Sequence, residues 1–395
     1  MRLFDKYLVT SSVTAIFTEA FNFHYFIDWK LFYVILISNF LLLAYKCKLT
    51  IHKNLIVIIS FFIFHGVINF LLFLNPIQSL IAQILGVSIS SIYFFNLIRV
   101  YKVKILIEKY LEIAFLISIA SIPMFYLGIN VFSSDRLNGV LTEPAHYAAI
   151  MLPAVYLLYL KKKYLKLVIV LFTIFLTKSS VGYIGLLIMI IIPLLQLKNF
   201  LKYSIVVITV LVLSGLYLSS KWSEKVDENK SNKIVRRLKQ TKESLSASFT
   251  GKFKKNTNLS SYAFLSNFFI TKEILIHKPF GAGLGAYRHE YEKYYKELKP
   301  PKYLITLNQS KINKTDANSL FLRMIADFGV FSLLFFFYFF YRVFIVFKKE
   351  NKVNEQSTFF YLFVKLIREG HYFPPEFYFF LLIFLKNSDE DITHC

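Results

Sequence analysis

The stretch NLIVIISFFIFHGVINFLLF at residues 54–73 decides the fold class, because its 20 residues include no Asp, Glu, Lys or Arg. A transmembrane helix needs about 20 consecutive apolar residues, so this stretch predicts a membrane crossing. Similar runs recur along the chain, in which 56% of 395 residues are hydrophobic and 18% are charged. A soluble domain carries about 25% charged residues. The composition excludes disordered and disulfide-rich proteins and predicts an all-α polytopic membrane protein.

Apolar runs of this kind predict about twelve transmembrane helices. They lie near residues 7–23, 31–45, 54–73, 80–98, 105–127, 147–160, 165–177, 181–197, 203–219, 319–346, 356–367 and 375–386. The first run carries Glu19 and lacks a small-residue cleavage site, so we expect a retained span rather than a signal peptide.

Lys and Arg concentrate in alternate short loops, and the positive-inside rule assigns those loops to the cytoplasm. With twelve spans, both termini are then predicted to be cytoplasmic. Residues 1–219 would hold helices 1–9, residues 220–317 one large external loop, and residues 318–395 helices 10–12 and a short tail. The external loop carries 20 Lys plus Arg against 9 Asp plus Glu, a net +11 within a total of +22.

The large loop is predicted to contain short helices of its own. Residues 234–248 are basic and amphipathic, and residues 262–276 are apolar enough to lie in the membrane interface. Between residues 287 and 298, Tyr287, Tyr291, Tyr294 and Leu298 recur at helical spacing, which predicts one aromatic face.

A first polar cluster, SDRLNGVLTEPAHY, spans residues 134–147 and leads into the sixth predicted span. Pro144 suits the first turn of a helix, and Thr142 or Glu143 would cap that helix. Alternatively, Arg136, Glu143 and His146 converge on an external polar ligand, with Glu143 or His146 as a base.

A second cluster, HKPFGAGLGAYRH, spans residues 277–289. Gly281, Gly283 and Gly285 would let the backbone approach a ligand closely, or they form a plain turn before a helix. Arg288 and His289 stand beside them. The segment lacks the Gly-Lys-Ser/Thr sequence of a nucleotide-binding loop.

Two more clusters flank the last spans. REGHYFPPE at residues 368–376 contains Arg368 and His371, and its Pro pair alone explains a tight turn. DANS at residues 316–319 contains Asn318 and opens the tenth predicted span. Inside that span, Arg323 and Asp327 are spaced to pair with each other, which we favour over catalysis. No Cys/His spacing typical of a metal site occurs, so neither a metal nor another cofactor is expected.

These clusters resemble motifs of one membrane family. RLNG at 136–139 with TEPAHYA at 142–148 resembles a stretch of bacterial O-antigen and capsule polymerases of the Wzy type. PFGAGLG at 279–285 is similar to the glycine-rich stretch in the large periplasmic loop of these polymerases and of O-antigen ligases. NSL at 318–320 with DFG at 327–329, and GHY at 370–372, resemble their later motifs. This chain departs from the family pattern in that its second external loop is richer in Lys than in Arg and neither loop shows a clear Arg-x10-Gly repeat.

The resemblance implies a GT-C-like, metal-independent glycosyltransferase at the outer face of the bacterial cytoplasmic (inner) membrane. Such a polymerase joins undecaprenyl-diphosphate-linked oligosaccharide repeats into O-antigen, capsule or exopolysaccharide. Its partners would be those lipid-linked glycans, the bilayer, a chain-length regulator and a flippase, with no nucleic acid. Two alternatives remain open: an O-antigen ligase that transfers finished glycan, and a lipid-linked-sugar flippase or exporter.

The implied chemistry needs fixed cations for the diphosphate and a base for the acceptor hydroxyl. The resemblance assigns Arg136 and Arg288 to the diphosphate, and Arg368 is a further cation. Glu143 is the preferred base, with three histidines as alternatives: His146, His289 and His371. The sequence predicts that Arg136→Ala and Arg288→Ala abolish polymer while leaving membrane insertion intact.

Overall fold

The computed structural model describes residues 2–25, 27–129, 135–194 and 245–386. These residues are mainly helical, apart from an antiparallel hairpin of β1 (Asn22–Tyr25) and β2 (Ile27–Lys30). The helices in the first three ranges are α1 (Leu3–Ala15), α2 (Leu31–Lys46), α3 (Lys53–Phe73), α4 (Ile77–Val100), α5 (Val103–Tyr126), α6 (Pro144–Leu160), α7 (Tyr164–Leu176) and α8 (Ser180–Leu194). Those in the last range are α9 (Ala247–Thr250), α10 (Leu259–His277), α11 (Tyr287–Tyr294), α12 (Lys302–Thr306), α13 (Leu320–Phe328), α14 (Ser332–Lys348), α15 (Val353–Ile367) and α16 (Phe377–Leu385).

Three helical segments of the described chain are long and apolar enough to cross a membrane. They are α3, α4 and the continuous stretch Leu320–Lys348, in which a 3₁₀ turn joins α13 to α14. Shorter apolar helices, including α2, α6, α7 and α8, accompany them. The predicted helical membrane protein is therefore confirmed. The count of twelve spans stays a prediction, because the predicted span at 203–219 lies outside the described residues. The GT-C-like fold also stays a prediction.

The first predicted span, 7–23, is wrong in its second half. Helix α1 ends at Ala15, and the chain then turns into the hairpin. The Thr18 hydroxyl donates a hydrogen bond of 2.7 Å to the Ala15 carbonyl oxygen, so it occupies a backbone acceptor that a continuing helix would use. The turn places Glu19 in a polar cleft described below.

Helices α6 and α15 form the centre of the bundle. Helix α6 is buried along most of its length, and α15 packs against α6, α8 and α16. The beginning of α6 lies beside the residues that follow α15, where His146 approaches Glu369. Two segments more than 200 residues apart in sequence therefore meet at one end of the bundle.

A second, smaller core lies in the described part of the large loop. Tyr287, Tyr291, Tyr294 and Leu298 are all buried there, which confirms the predicted aromatic face. They pack against α10 and α13, so α10 buries much of its apolar surface against protein. Whether α10 also touches the membrane interface stays a prediction. The predicted helix at 234–248 lies almost entirely outside the described residues.

The ionisable residues inside α13 are paired. Arg323 Nε lies 3.5 Å from Asp327 Oδ2, and the Tyr372 hydroxyl donates a hydrogen bond of 3.0 Å to the same oxygen. The Arg323 guanidinium also lies over the Tyr372 ring, 4.9 Å from its centroid. These contacts agree with the structural pairing favoured from the sequence, since each charge has a partner within the protein.

Candidate functional site

A polar cleft of about 460 Å³ opens at the end of the bundle where α6 begins and α15 ends. Five separate segments contribute its walls: the turn after α1, the start of α2, the start of α6, residues 313–318 and residues 368–375. The lining residues are Glu19, Lys30, Tyr33, Thr142, Glu143, His146, Asn313, Thr315, Asp316, Asn318, Arg368, Glu369, His371, Phe373, Pro374 and Pro375. The first, third and fourth sequence clusters therefore meet in one place.

Glu143 occupies the N-cap position of α6, and Pro144 follows in the first turn as predicted. The Glu143 side chain makes no capping hydrogen bond, so the expected cap role is wrong for this carboxylate. Its side chain is 48% exposed, and Oε2 lies 3.9 Å from Arg368 Nη2. Glu143 is thus an accessible carboxylate beside an accessible guanidinium.

His146 lies in the first turn of α6, ahead of the crossing predicted at 147–160, and is held between carboxylates. Its Nδ1 is 2.8 Å from Glu19 Oε1 and 3.2 Å from the Thr142 hydroxyl, while Nε2 is 3.9 Å from Glu369 Oε2. Burial alone lowers the pKa of His146, but the Glu19 and Glu369 carboxylates outweigh burial and raise that pKa to about 10. His146 is therefore an imidazolium at neutral pH, which disfavours it as a general base.

The charge alternation continues into the bundle. Lys365, near the end of α15, lies 2.5 Å from Glu369 Oε1, and the two side chains are only 1% and 6% exposed. Glu19, His146, Glu369 and Lys365 thus form a row of alternating negative and positive groups that runs from the cleft into the bundle. Such a row satisfies charges that would be costly to bury singly.

The turn after α15 is fastened to the segment before α13. The Glu369 amide donates a hydrogen bond of 2.9 Å to the Asn318 carbonyl oxygen, and the Arg368 guanidinium donates to the Asn318 side-chain oxygen. A Cβ at Gly370 would overlap the Asp316 carbonyl oxygen, so the close approach requires glycine. Asn318 therefore orients Arg368 toward the cleft.

His371 is the most exposed imidazole in the cleft, with 53% of its side chain accessible. Its Nε2 lies 3.9 Å from Asp316 Oδ2, and the Asp316 side chain is 9% exposed. Burial lowers the pKa of the His371 imidazole, and the Asp316 and Glu369 carboxylates oppose this only in part, so the ring is neutral and can accept a proton.

The cleft does not include three residues predicted to act there. Arg136 donates a hydrogen bond of 3.0 Å from Nε to the Thr177 carbonyl oxygen, so it joins its loop to the turn between α7 and α8. Arg288 and His289 are exposed on α11, and neither lines the cleft. Their predicted roles now lack support from the cleft's geometry.

The glycine-rich segment packs against helices rather than opening toward the cleft. Gly281 and Gly283 have φ values of +89° and +95°, and a Cβ on Gly283 would lie 2.8 Å from Asn69 Cβ in α3. A Cβ on Gly285 would lie 2.9 Å from the Ser79 carbonyl oxygen in α4. The Gly283 amide also donates a hydrogen bond of 2.9 Å to the Asp327 carbonyl oxygen. The alternative prediction, a turn before a helix, agrees with the start of α11 at Tyr287, and approach of these glycines to a ligand stays a prediction.

Sequence reasoning gave no role to Glu19, Asp316, Glu369 or Lys365. Two signals were available: Glu19 interrupts an apolar run, and Lys365 and Glu369 stand four residues apart near the end of α15. Neither signal names the partner, because Glu19 contacts His146 across 127 positions of sequence.

Within the residues described, no group of three or more His, Cys, Asp or Glu is arranged to hold a metal ion. What the cleft does offer is an accessible guanidinium, an accessible carboxylate and an accessible imidazole. That set is suited to binding an anion and to moving a proton.

Residues 165–337 match the family model Wzy_C, described as O-Antigen ligase. The match supports the O-antigen polymerase/ligase superfamily that the motifs resemble, and with it a membrane protein that transfers glycosyl groups. It covers α7, α8, the large loop, α13 and the start of α14, whereas Glu143, His146, Arg368 and His371 lie outside it. No curated protein and no solved structure matches the chain.

Proposed function

We propose that this protein is a polysaccharide polymerase that joins undecaprenyl-diphosphate-linked repeat units at the outer face of the bacterial cytoplasmic membrane. One observation carries the proposal. Segments that resemble three polymerase motifs, around Glu143, Asn318 and His371, line a single polar cleft. The match of residues 165–337 to the O-antigen ligase family supports a lipid-linked glycan as the substrate.

The reaction requires an acceptor sugar hydroxyl to attack the anomeric carbon of the donor chain. The new carbon–oxygen bond forms as the bond to the diphosphate oxygen breaks, and the electron pair leaves on the diphosphate. Arg368, oriented by Asn318, is placed to stabilise that developing charge, and Lys30 adds a second cation to the cleft. Arg136 and Arg288 remain proposed diphosphate contacts only if the bound lipid-linked chain extends beyond the cleft.

The proton of the acceptor hydroxyl needs a base. Glu143 and His371 are the accessible titratable groups among those proposed, whereas His146 is held as an imidazolium and His289 lies away from the cleft. We therefore assign the base to Glu143 or His371. Both side chains line the cleft.

An apolar cavity of about 200 Å³ adjoins the same turn and supports a lipid-linked donor. Side chains of α3, α4, α13, α14, α15 and α16 line it, together with Tyr372 and Phe377. His371 and Phe373 line the polar cleft on the other side of this turn. A diphosphate in the cleft would thus leave its polyprenyl tail beside apolar helices.

The test is the extension of a synthetic undecaprenyl-diphosphate-linked repeat by the purified protein in detergent. We expect a ladder of lipid-linked oligomers from the wild type and no ladder from the double variant Arg368→Ala/Glu143→Gln. A wild type that never lengthens the substrate, at any donor concentration, would refute the polymerase. A flippase, which makes no glycosidic bond, would also give no ladder.

An O-antigen ligase is the second candidate, because the matching family model carries that description. Deletion in the source bacterium separates the two activities. Loss of a polymerase leaves a single repeat on the final carrier, whereas loss of a ligase leaves long chains on undecaprenyl diphosphate. For either activity, we propose that the cleft faces outward and that both termini are cytoplasmic. Cysteines introduced at residues 292 and 349 test this topology, because an impermeant reagent added to intact cells should label the first and not the second.

A further inference from the structure

The contact between His371 and Asp316 lies in the same cleft as Glu369 and is a second pairing of an imidazole with a carboxylate. His371 Nε2 faces Asp316 Oδ2 at 3.9 Å, and the imidazole remains half-exposed to the cleft. Its other nitrogen, Nδ1, makes no hydrogen bond to the described residues and is the ring atom left for a ligand. The ring therefore has one nitrogen toward a fixed carboxylate and one available for a proton.

Asp316 is held in place by a turn of unusual backbone conformation. Asn313, Ala317 and Asn318 have φ values of 59°, 58° and 60°, a left-handed region that Asn tolerates but that Ala317 adopts only at a cost. Within the turn, Asp316 Oδ2 accepts a hydrogen bond of 3.4 Å from Asn313 Nδ2, and Oδ1 accepts one of 3.4 Å from the Asn318 amide. Strained turns of this kind persist where the surrounding structure over-determines them, often at functional sites.

The turn that carries His371 packs directly against the backbone of residues 316–318. Gly370 allows the two backbones to touch at the Asp316 carbonyl oxygen, and the Glu369 amide bonds to Asn318 one residue away. Both members of the pair therefore stand on segments whose relative position is fixed by backbone contacts. A surface ion pair would lack this support.

We propose that Asp316 is a positioning residue that orients His371 as the general base of glycosyl transfer. With Nε2 facing the Asp316 carboxylate at 3.9 Å, Nδ1 takes the proton of the acceptor hydroxyl, and the negative charge of Asp316 favours the imidazolium that forms. The proton then leaves the imidazolium for solvent, and the neutral ring is restored. The inference rests on the proposed polymerase activity and decides between its two base candidates.

Glu143 is the weaker base on the geometry of the cleft. Its carboxylate already faces the Arg368 guanidinium, which is assigned to the diphosphate, whereas the His371 ring has a nitrogen directed neither at Asp316 nor at another cation. Other charged groups near His371 are Glu369, Lys365 and Arg323, in addition to Asp316. Of these, Asp316 is the group whose side chain comes within ion-pair distance of the ring.

A double-mutant cycle tests the proposal with the lipid-linked extension assay. We expect Asp316→Asn to lower kcat by about 10²-fold with little change in KM, because an amide keeps the turn but cannot stabilise the imidazolium. His371→Gln should lower kcat at least as much. In the His371→Gln background, Asp316→Asn should then cost less than about 3-fold, since its effect acts through the ring.

Glu292→Gln serves as the matched control, because Glu292 pairs with Lys311 and Lys314 on the exposed face of the large loop. Its kcat should stay at the wild-type value. Gel filtration in detergent and donor binding check that Asp316→Asn is folded. Equal losses from Asp316→Asn in both backgrounds, or a change confined to KM, would overturn the inference while leaving the polymerase intact. A wild type without extension activity would overturn both.

Discussion

Removing the buried cation Lys365 should destabilise the protein far more than removing an exposed one. Lys365 and Glu369 are 1% and 6% exposed at a separation of 2.5 Å, so Lys365→Met leaves a carboxylate with little access to water. Breaking a buried pair on one side costs about 3–5 kcal/mol. His146, whose Nε2 is 3.9 Å from Glu369 Oε2, offsets only part of that loss because it already pairs with Glu19.

Lys311→Met is the matched comparison, because Lys311 and Glu292 form a pair whose side chains are 41% and 39% exposed. Exposed pairs contribute about 0–1 kcal/mol. Equilibrium unfolding of both variants in mixed detergent micelles, followed by circular dichroism, measures the difference. The double variant Lys365→Met/Glu369→Gln should recover most of the loss, since no buried charge is then left alone. Equal destabilisation by the two single variants, or no recovery in the double variant, would refute the argument.

Three further outcomes follow from the same contacts. Arg368→Ala should reduce extension of the lipid-linked repeat by about 10²-fold or more, because it removes a preorganised cation at a developing charge. Arg288→Ala should reduce extension less, and equal losses would contradict the assignment. Gly281→Ala should cost about 1–3 kcal/mol in the same unfolding assay, because its Cβ would overlap the Asp327 carbonyl, whereas Gly128→Ala, with φ +70° and open space around it, should cost less. The pKa of His146 is about 10 in the folded protein, above its usual 6.5, so its pairing stabilises the protein fully below pH 6.5 and less as pH rises through 10. His146→Gln should flatten that part of the curve of unfolding free energy against pH. An unchanged curve would argue against the pairing.

The apolar helices were predictable from sequence because their signal is local. The run at 54–73 corresponds to α3 (Lys53–Phe73) and the run at 80–98 to α4 (Ile77–Val100), since each needs only its own composition to be recognised. The prediction of the first span is wrong beyond Ala15, where the Thr18 hydroxyl donates a hydrogen bond to the Ala15 carbonyl oxygen. A side-chain hydrogen bond of that kind cannot be recognised from hydropathy.

The candidate site was predictable only in part, for a related reason. Glu143, Asn318, Arg368 and His371 belong to motifs, and the structure gathers them in the cleft. Arg136 carried the same sequence signal, yet its guanidinium bonds to the Thr177 carbonyl. Residue type and spacing indicate that a group can bind an anion, but the direction it faces depends on helices packed from elsewhere.

The second core has a consequence for biosynthesis. Its aromatic face, with Tyr287 and Tyr291, is completed by Leu322 and Ala326 of α13, which follow it in the chain. Because synthesis runs from the N-terminus and units fold as they emerge, this surface leaves the ribosome before the helix that covers it. The tyrosines of the nascent loop are therefore expected to be solvent-exposed until α13 is inserted. A truncated protein that stops before α13 should be a preferred client of membrane-associated chaperones and proteases.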